Sequence, residues 1–87
     1  MKEIRFNLEK NAELQRTRKI TFEKLLGSRF IGIEEHAKRE HQSLMLFEYK
    51  GYVWVVPFVE EEEYYFLKTA FPSRKHTKKY LGGTGND

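Results

Sequence analysis

The sequence predicts an α+β domain: two N-terminal helices packed on a four- or five-stranded antiparallel sheet, with a short C-terminal helix. Three observations carry this. Residues 7–26 are rich in helix formers, contain two good N-cap residues, Asn7 and Thr21, and hold neither Gly nor Pro. From Phe30 onward the apolar residues switch to a period of two, punctuated by Lys50-Gly51 and Pro57. Strands joined by short turns pair antiparallel, and two preceding helices suffice to cover one face of such a sheet.

Each element has its own local reason. Glu3 to Phe6 forms a short strand with Ile4 and Phe6 on one face. Asn7 caps a helix over Leu8 to Arg18, whose apolar stripe is thin. Thr21 caps a second helix in which Phe22, Leu25 and Leu26 recur at i, i+3, i+4, stopping near Gly27-Ser28. Phe30 to Glu34 alternates through Ile31 and Ile33, and the polar stretch Glu35 to Gln42 is a loop or hairpin end. Ser43 to Tyr49 alternates again, and Lys50-Gly51 is a tight-turn signal. Tyr52 to Val56 is apolar throughout, as a central strand requires, and Pro57 marks its end or a bulge. Tyr64 to Phe71 is the last strand, with Phe66, Lys68 and Ala70 on one face and Tyr65, Leu67, Thr69 and Phe71 on the other. Ser73 caps a final helix, Arg74 to Leu81, stopped by Gly82. Residues 1–81 therefore make a single domain, and residues 82–87 are expected to be a flexible tail.

A chain of 87 residues without cysteine has neither disulfides nor thiolate metal sites to staple it. Its 13 aromatic residues are the main source of buried area. The N-terminus lacks a hydrophobic signal region, and the longest apolar run is too short to span a bilayer, so a cytoplasmic protein without a membrane partner is expected. The formal net charge is a modest +3, but its distribution is uneven. From Lys68 to Tyr80 there are five Lys or Arg, one His and no acid, directly after the acidic run Glu60 to Glu63. A basic stretch of this kind attracts phosphate backbones or acidic surfaces. The acidic run is a solvated turn or an internal counter-charge to the basic segment.

The run Phe6-Asn7-Leu8-Glu9-Lys10-Asn11, with Ile20-Thr21-Phe22-Glu23-Lys24-Leu25 after it, resembles the opening of the BrnT toxins, compact relatives of the RelE ribonuclease toxins. Phe66-Leu67-Lys68-Thr69-Ala70-Phe71-Pro72-Ser73-Arg74-Lys75 resembles that family's last strand and the Arg-containing turn beyond it. The likeness spans residues 6–81. It departs from the family where Thr17-Arg18-Lys19 replaces a Lys-His-Gly sequence, and where Ser73 replaces a small residue before the late arginine. The resemblance implies a RelE-like fold and a toxin that cleaves messenger RNA, free or on the ribosome, without metal or other cofactor. It also implies a cognate antitoxin that binds DNA, this chain meeting DNA only through that antitoxin.

Metal-independent RNA cleavage needs a base for the 2′-OH, cations for the phosphorane and an acid for the leaving 5′ oxygen. Arg74, at a helix start where a guanidinium and backbone N–H groups can converge on one phosphate, is the first candidate. Lys68, in mid-strand, is the second. His76 is a candidate general acid or base and Tyr80 a candidate acid. Lys75, Lys78 and Lys79 supply salt-dependent attraction for RNA. Tyr52, Trp54, Tyr64 and Tyr65 are base-stacking candidates or ordinary core pairs. His36 and His41 have no third metal ligand and are loop histidines. A non-catalytic nucleic-acid-binding domain or a protein-interaction module, with the same basic patch, accounts for the same pattern.

Overall fold

The computed structural model describes residues 2–82; of the tail expected over residues 82–87, all but Gly82 lies outside the described residues. In chain order the elements are β1 (Glu3–Phe6), α1 (Leu8–Arg18), α2 (Phe22–Leu26), β2 (Arg29–Glu35), β3 (Ser43–Tyr49), β4 (Tyr52–Glu60), β5 (Tyr64–Leu67), β6 (Phe71–Pro72) and α3 (Arg74–Leu81). Asn7 and Thr21 cap α1 and α2 by accepting from the N–H groups of Lys10 and Lys24. Asn11 ties the two helices together: its Oδ1 accepts from Phe22 N at 2.8 Å, and its Nδ2 donates to Glu23 Oε1 at 2.7 Å. Lys50 and Gly51 both have positive φ, 54° and 80°, the geometry a two-residue hairpin between β3 and β4 demands.

The expected all-antiparallel sheet of four or five strands, with its helices gathered on one face, is overturned. The sheet has six strands and is mixed, ordered β1-β5-β4-β3-β2 with β6 also paired to β4. β1 runs parallel to β5, placing Glu3 beside Tyr64, Ile4 beside Tyr65, Arg5 beside Phe66 and Phe6 beside Leu67. The antiparallel meander from β2 to β5 returns the chain in the direction of β1, and β1 closes that edge.

The single last strand expected from Tyr64 to Phe71 is two short ones. Between the pairs Phe58↔Leu67 and Val55↔Phe71, β4 advances three residues and its partner four. Pro57, expected at the end of β4 or at a bulge, does not end the strand: it sits inside β4, opposite Leu44 and within the bulged stretch. Its carbonyl accepts from Lys68 N at 2.8 Å on the β5 side, so its missing N–H falls at the break between β5 and β6. The bulge also turns the chain over: Leu67 and Ala70 both join the core beneath α1 and α2, whereas Phe71 joins the opposite cluster.

Two clusters stabilise the sheet, one on each face. Leu14, Ile20, Phe22 and Leu25 of the α1–α2 layer bury themselves against Met45, Phe47, Val56, Phe58, Leu67 and Ala70, with the Phe6 ring centre 4.8 Å from that of Phe22 and tilted by 38°. On the reverse face Leu46, Val53 and Val55 pack with Ile31, Leu44, Phe71 and Leu81 of α3. Helices thus cover both faces, and α3 is the helix that lies most closely on β4. No helix among the described residues is long and apolar enough to cross a membrane.

Candidate nucleic-acid interface

The basic C-terminal segment is fixed to the sheet by a serine and a threonine. Ser73 N donates to Val53 O at 2.9 Å, and Ser73 Oγ caps α3 by accepting from His76 N at 3.1 Å. Thr77 Oγ1 donates to Ser73 O and accepts from Val53 N, at 2.7 and 2.8 Å. These contacts set α3 across β4, with Gly82 in the left-handed conformation at its end.

The far side of α3 converges on Glu34 of β2. His76 Nε2 lies 3.1 Å from Glu34 Oε1 and Lys79 Nζ lies 3.0 Å from Oε2, while the Tyr80 hydroxyl donates to the same Oε2. Residues at i, i+3 and i+4 share one side of a helix, which is why one carboxylate reaches all three. The His76 and Tyr80 rings are nearly parallel, 4° apart. The Tyr80 hydrogen bond is the largest influence holding the Glu34 carboxyl down at about 2; burial opposes it, and Lys79 and His76 add to it. The same contacts push Tyr80 and Lys79 upward. His76 Nδ1 is also engaged, 2.7 Å from Ser73 Oγ. A neutral ring satisfies both contacts by donating from Nε2 to Glu34 and accepting at Nδ1 from Ser73, a tautomer assigned from the hydrogen-bond network.

Of the seven residues nominated from the sequence, His76, Tyr80 and Lys79 therefore meet at Glu34. Arg74, Lys75 and Lys78 are exposed and have no ion-pair partner among the described residues. At 100° per residue they fall within an arc of about 100° on the side of α3 away from Glu34. The N–H groups of Arg74 and Lys75 precede the helix's own bonding, which starts with Thr77 N on Ser73 O. Lys68 stands between β5 and β6 with its Nζ 5.5 Å from the centre of the Phe66 ring. Its backbone is anchored at Pro57 and that of Ser73 at Val53, four residues apart on one strand, a span of about 13 Å. Two long cationic side chains can close such a span over one phosphodiester.

Glu34 and Arg5 escaped sequence reasoning. Glu34 is an acid inside an alternating strand, and its partners lie over 40 positions away. Arg5 reaches Phe66 only through the parallel pairing of β1 with β5; its guanidinium carbon lies 4.2 Å from the Tyr64 ring centre. Among the stacking candidates, Trp54 and Tyr65 pack against the core beneath α1 and α2, Tyr65 edge-on to Phe58. Tyr52 is half-buried. The acidic run finds its counter-charge in Lys2, whose Nζ reaches Glu60 at 2.5 Å and the Glu61 carbonyl at 2.8 Å, and not in the basic segment. His36 Nδ1 accepts from Lys38 N within its own loop, and among the described residues no three His, Asp or Glu side chains group as metal ligands would.

Comparison of the chain with protein-family models, with curated proteins and with solved structures returns no match.

Proposed function

We propose that this chain is a cytoplasmic toxin directed at RNA: a metal-independent endoribonuclease acting on messenger RNA and neutralised by a DNA-binding antitoxin. The observation that carries the RNA-directed part is the unpaired cationic arc of Arg74, Lys75 and Lys78, which starts at a helix N-terminus. The resemblance of residues 66–75 to the BrnT toxins brings in cleavage and the antitoxin.

In this reading Arg74 and Lys68 hold the scissile phosphodiester and stabilise charge on the phosphorane. RNA supplies its own nucleophile: the 2′ oxygen bonds to phosphorus, the bond to the 5′ oxygen breaks, and the leaving 5′ oxygen takes a proton from solvent water, so that a 2′,3′-cyclic phosphate and a 5′-hydroxyl result. His76 takes the 2′ proton at Nδ1, the substrate hydroxyl replacing Ser73 as donor there while Glu34 keeps Nε2–H oriented. Tyr80, whose hydroxyl is committed to Glu34, acts by placing that carboxylate. The engagement of both His76 nitrogens favours a second reading, a domain that binds RNA without cutting it.

Induced expression of the chain in cells separates the two. The toxin reading expects growth arrest with cut transcripts, relieved by Arg74→Ala through a loss of about 10²–10³ in cleavage rate. Intact transcripts together with salt-sensitive RNA binding by the purified chain would establish the second reading. No RNA affinity at low salt would remove both, leaving a protein-interaction module.

A further inference from the structure

We propose that Tyr64 and Phe66 form a base-stacking platform for single-stranded RNA on the open face of the β1–β5 edge, with Arg5 and Lys68 as its phosphate contacts. The choice of ligand rests on the RNA-directed reading above.

The register places the four residues together. Ile4, Phe6, Tyr65 and Leu67 pack into the core beneath α1 and α2, so their neighbours Arg5, Tyr64 and Phe66 point to the reverse face. On that face Arg5 stands beside Phe66, and Phe66 beside Val59, which follows Val53 and Val55 at even spacing along β4. This is the face that carries α3. Neither Tyr64 nor Phe66 belongs to either core cluster, although both are half-buried. Two large aromatic side chains on a strand that add nothing to either core call for another use.

Each ring already carries a cation. Arg5 Cζ lies 4.2 Å from the Tyr64 centroid and Lys68 Nζ lies 5.5 Å from that of Phe66. A nucleotide presents a flat base and an anionic phosphate together. The base takes the ring or the guanidinium plane, and the displaced cation swings to the phosphate. Two acids lie beside them: Glu3 is held by Arg5 at 3.0 Å, and Glu63, next to Tyr64, also acts on the Arg5 guanidinium. Lys68 then links the platform to Arg74, so a strand seated on Phe66 leads toward the proposed cleavage site. An acidic protein surface would use the cations but gain little from two half-buried aromatic rings, whereas RNA brings both a phosphate and a flat base.

The experiment is fluorescence anisotropy of a labelled 12-nucleotide single-stranded RNA with the full chain, across a salt series. Phe66→Leu and Tyr64→Leu keep apolar bulk and remove the π-face. Each is expected to weaken binding about tenfold while leaving the slope of log K against log salt unchanged, because no charge is lost. Phe66→Tyr should restore affinity, and unchanged thermal melting of each variant excludes misfolding. Binding of both Leu variants within twofold of the unmodified chain would overturn the platform. So would poly-glutamate binding as tightly as RNA, which would assign the face to an acidic protein partner. The two proposals can fail separately. Transcript cutting with Leu-insensitive binding sinks the platform alone, whereas Leu-sensitive binding with intact transcripts sinks the toxin reading alone.

Discussion

Replacing Glu34 with Gln should destabilise the protein in a way that depends on pH. The carboxyl is held at about 2, against an ordinary value of 4.5, by Tyr80, Lys79 and His76. A carboxyl depressed in the folded state adds stability above its unfolded value and loses that stability as pH falls through the folded one. The full shift corresponds to about 3 kcal/mol at neutral pH. Lys79, however, is 59% exposed, and screening of that contact brings the expected loss to about 1–2 kcal/mol. For a domain of this size that is roughly 5–15 °C in melting temperature. Gln keeps the shape but cannot accept from three donors at once, and its amide nitrogen opposes His76 Nε2–H. Urea melts of both proteins from pH 7 down to pH 3 test this. The gap between them should be full above about pH 5, with more than half of it gone by about pH 3. Subtracting the two curves cancels the other carboxylates that titrate in that window, Glu23 among them. A gap of constant size across the range would refute the assignment of Glu34 as the charged clasp of α3.

Three further outcomes follow from single contacts. Asn11→Ala removes the bridge between α1 and α2 and leaves Phe22 N without its acceptor, so chemical denaturation should show a loss of about 1–3 kcal/mol. Ser73→Ala removes the cap of α3 together with the partner of His76 Nδ1; a loss of about 1 kcal/mol is expected in thermal melts, largely recovered by Ser73→Asp. Lys75→Ala and Lys78→Ala should each lower the salt slope of RNA binding by about 0.7, measured by anisotropy, whereas Lys79→Ala should lower it less because that ammonium is already paired to Glu34.

Local signals were strong where a residue acts on its own neighbours. Asn7, Thr21 and Ser73 are capping residues by chemistry, and each accepts from the N–H three positions on. Lys50-Gly51 specifies its turn because only positive φ closes that hairpin. What lay out of reach was partnership at a distance. The four residues of β1 alternate in the same way whether they pair parallel or antiparallel, so the mixed sheet could not be read from them. Pro57 announces a break in hydrogen bonding, but not that the break falls in the neighbouring strand and lets β4 continue. The one-residue bulge that follows inverts Ala70 and Phe71, which strict alternation assigned to the wrong faces. In the candidate site, helical spacing alone divides His76, Lys79 and Tyr80 from Arg74, Lys75 and Lys78. Which of these two arcs would meet an acid depended on Glu34, and nothing local marks a strand glutamate as the clasp of a helix far along the chain.

The charge on α3 is arranged against the helix's own stability. Its first turn holds Arg74 and Lys75 and no acid, opposite to what the helix dipole favours. Lys75 and Lys78 repel at i, i+3, and Arg74 and Lys78 at i, i+4. The clasp at Glu34, the Thr77 bond to Val53 of β4 and the packing of half-buried Leu81 hold the helix in spite of this. A polyanion lying along the outer arc would convert each of these repulsions into an attraction. RNA should therefore raise the melting temperature of the protein, by more at 20 mM than at 500 mM salt on the order of the counterion-release dependence. Without RNA, added salt alone should stabilise modestly by screening the arc. Arg74→Glu should also stabilise the free protein, because it complements the dipole, while abolishing the stabilisation by RNA. Differential scanning calorimetry at two salt concentrations measures all three. A free protein destabilised by Arg74→Glu, or a melting temperature indifferent to RNA at low salt, would mean that the basic arc is an ordinary solvated helix face.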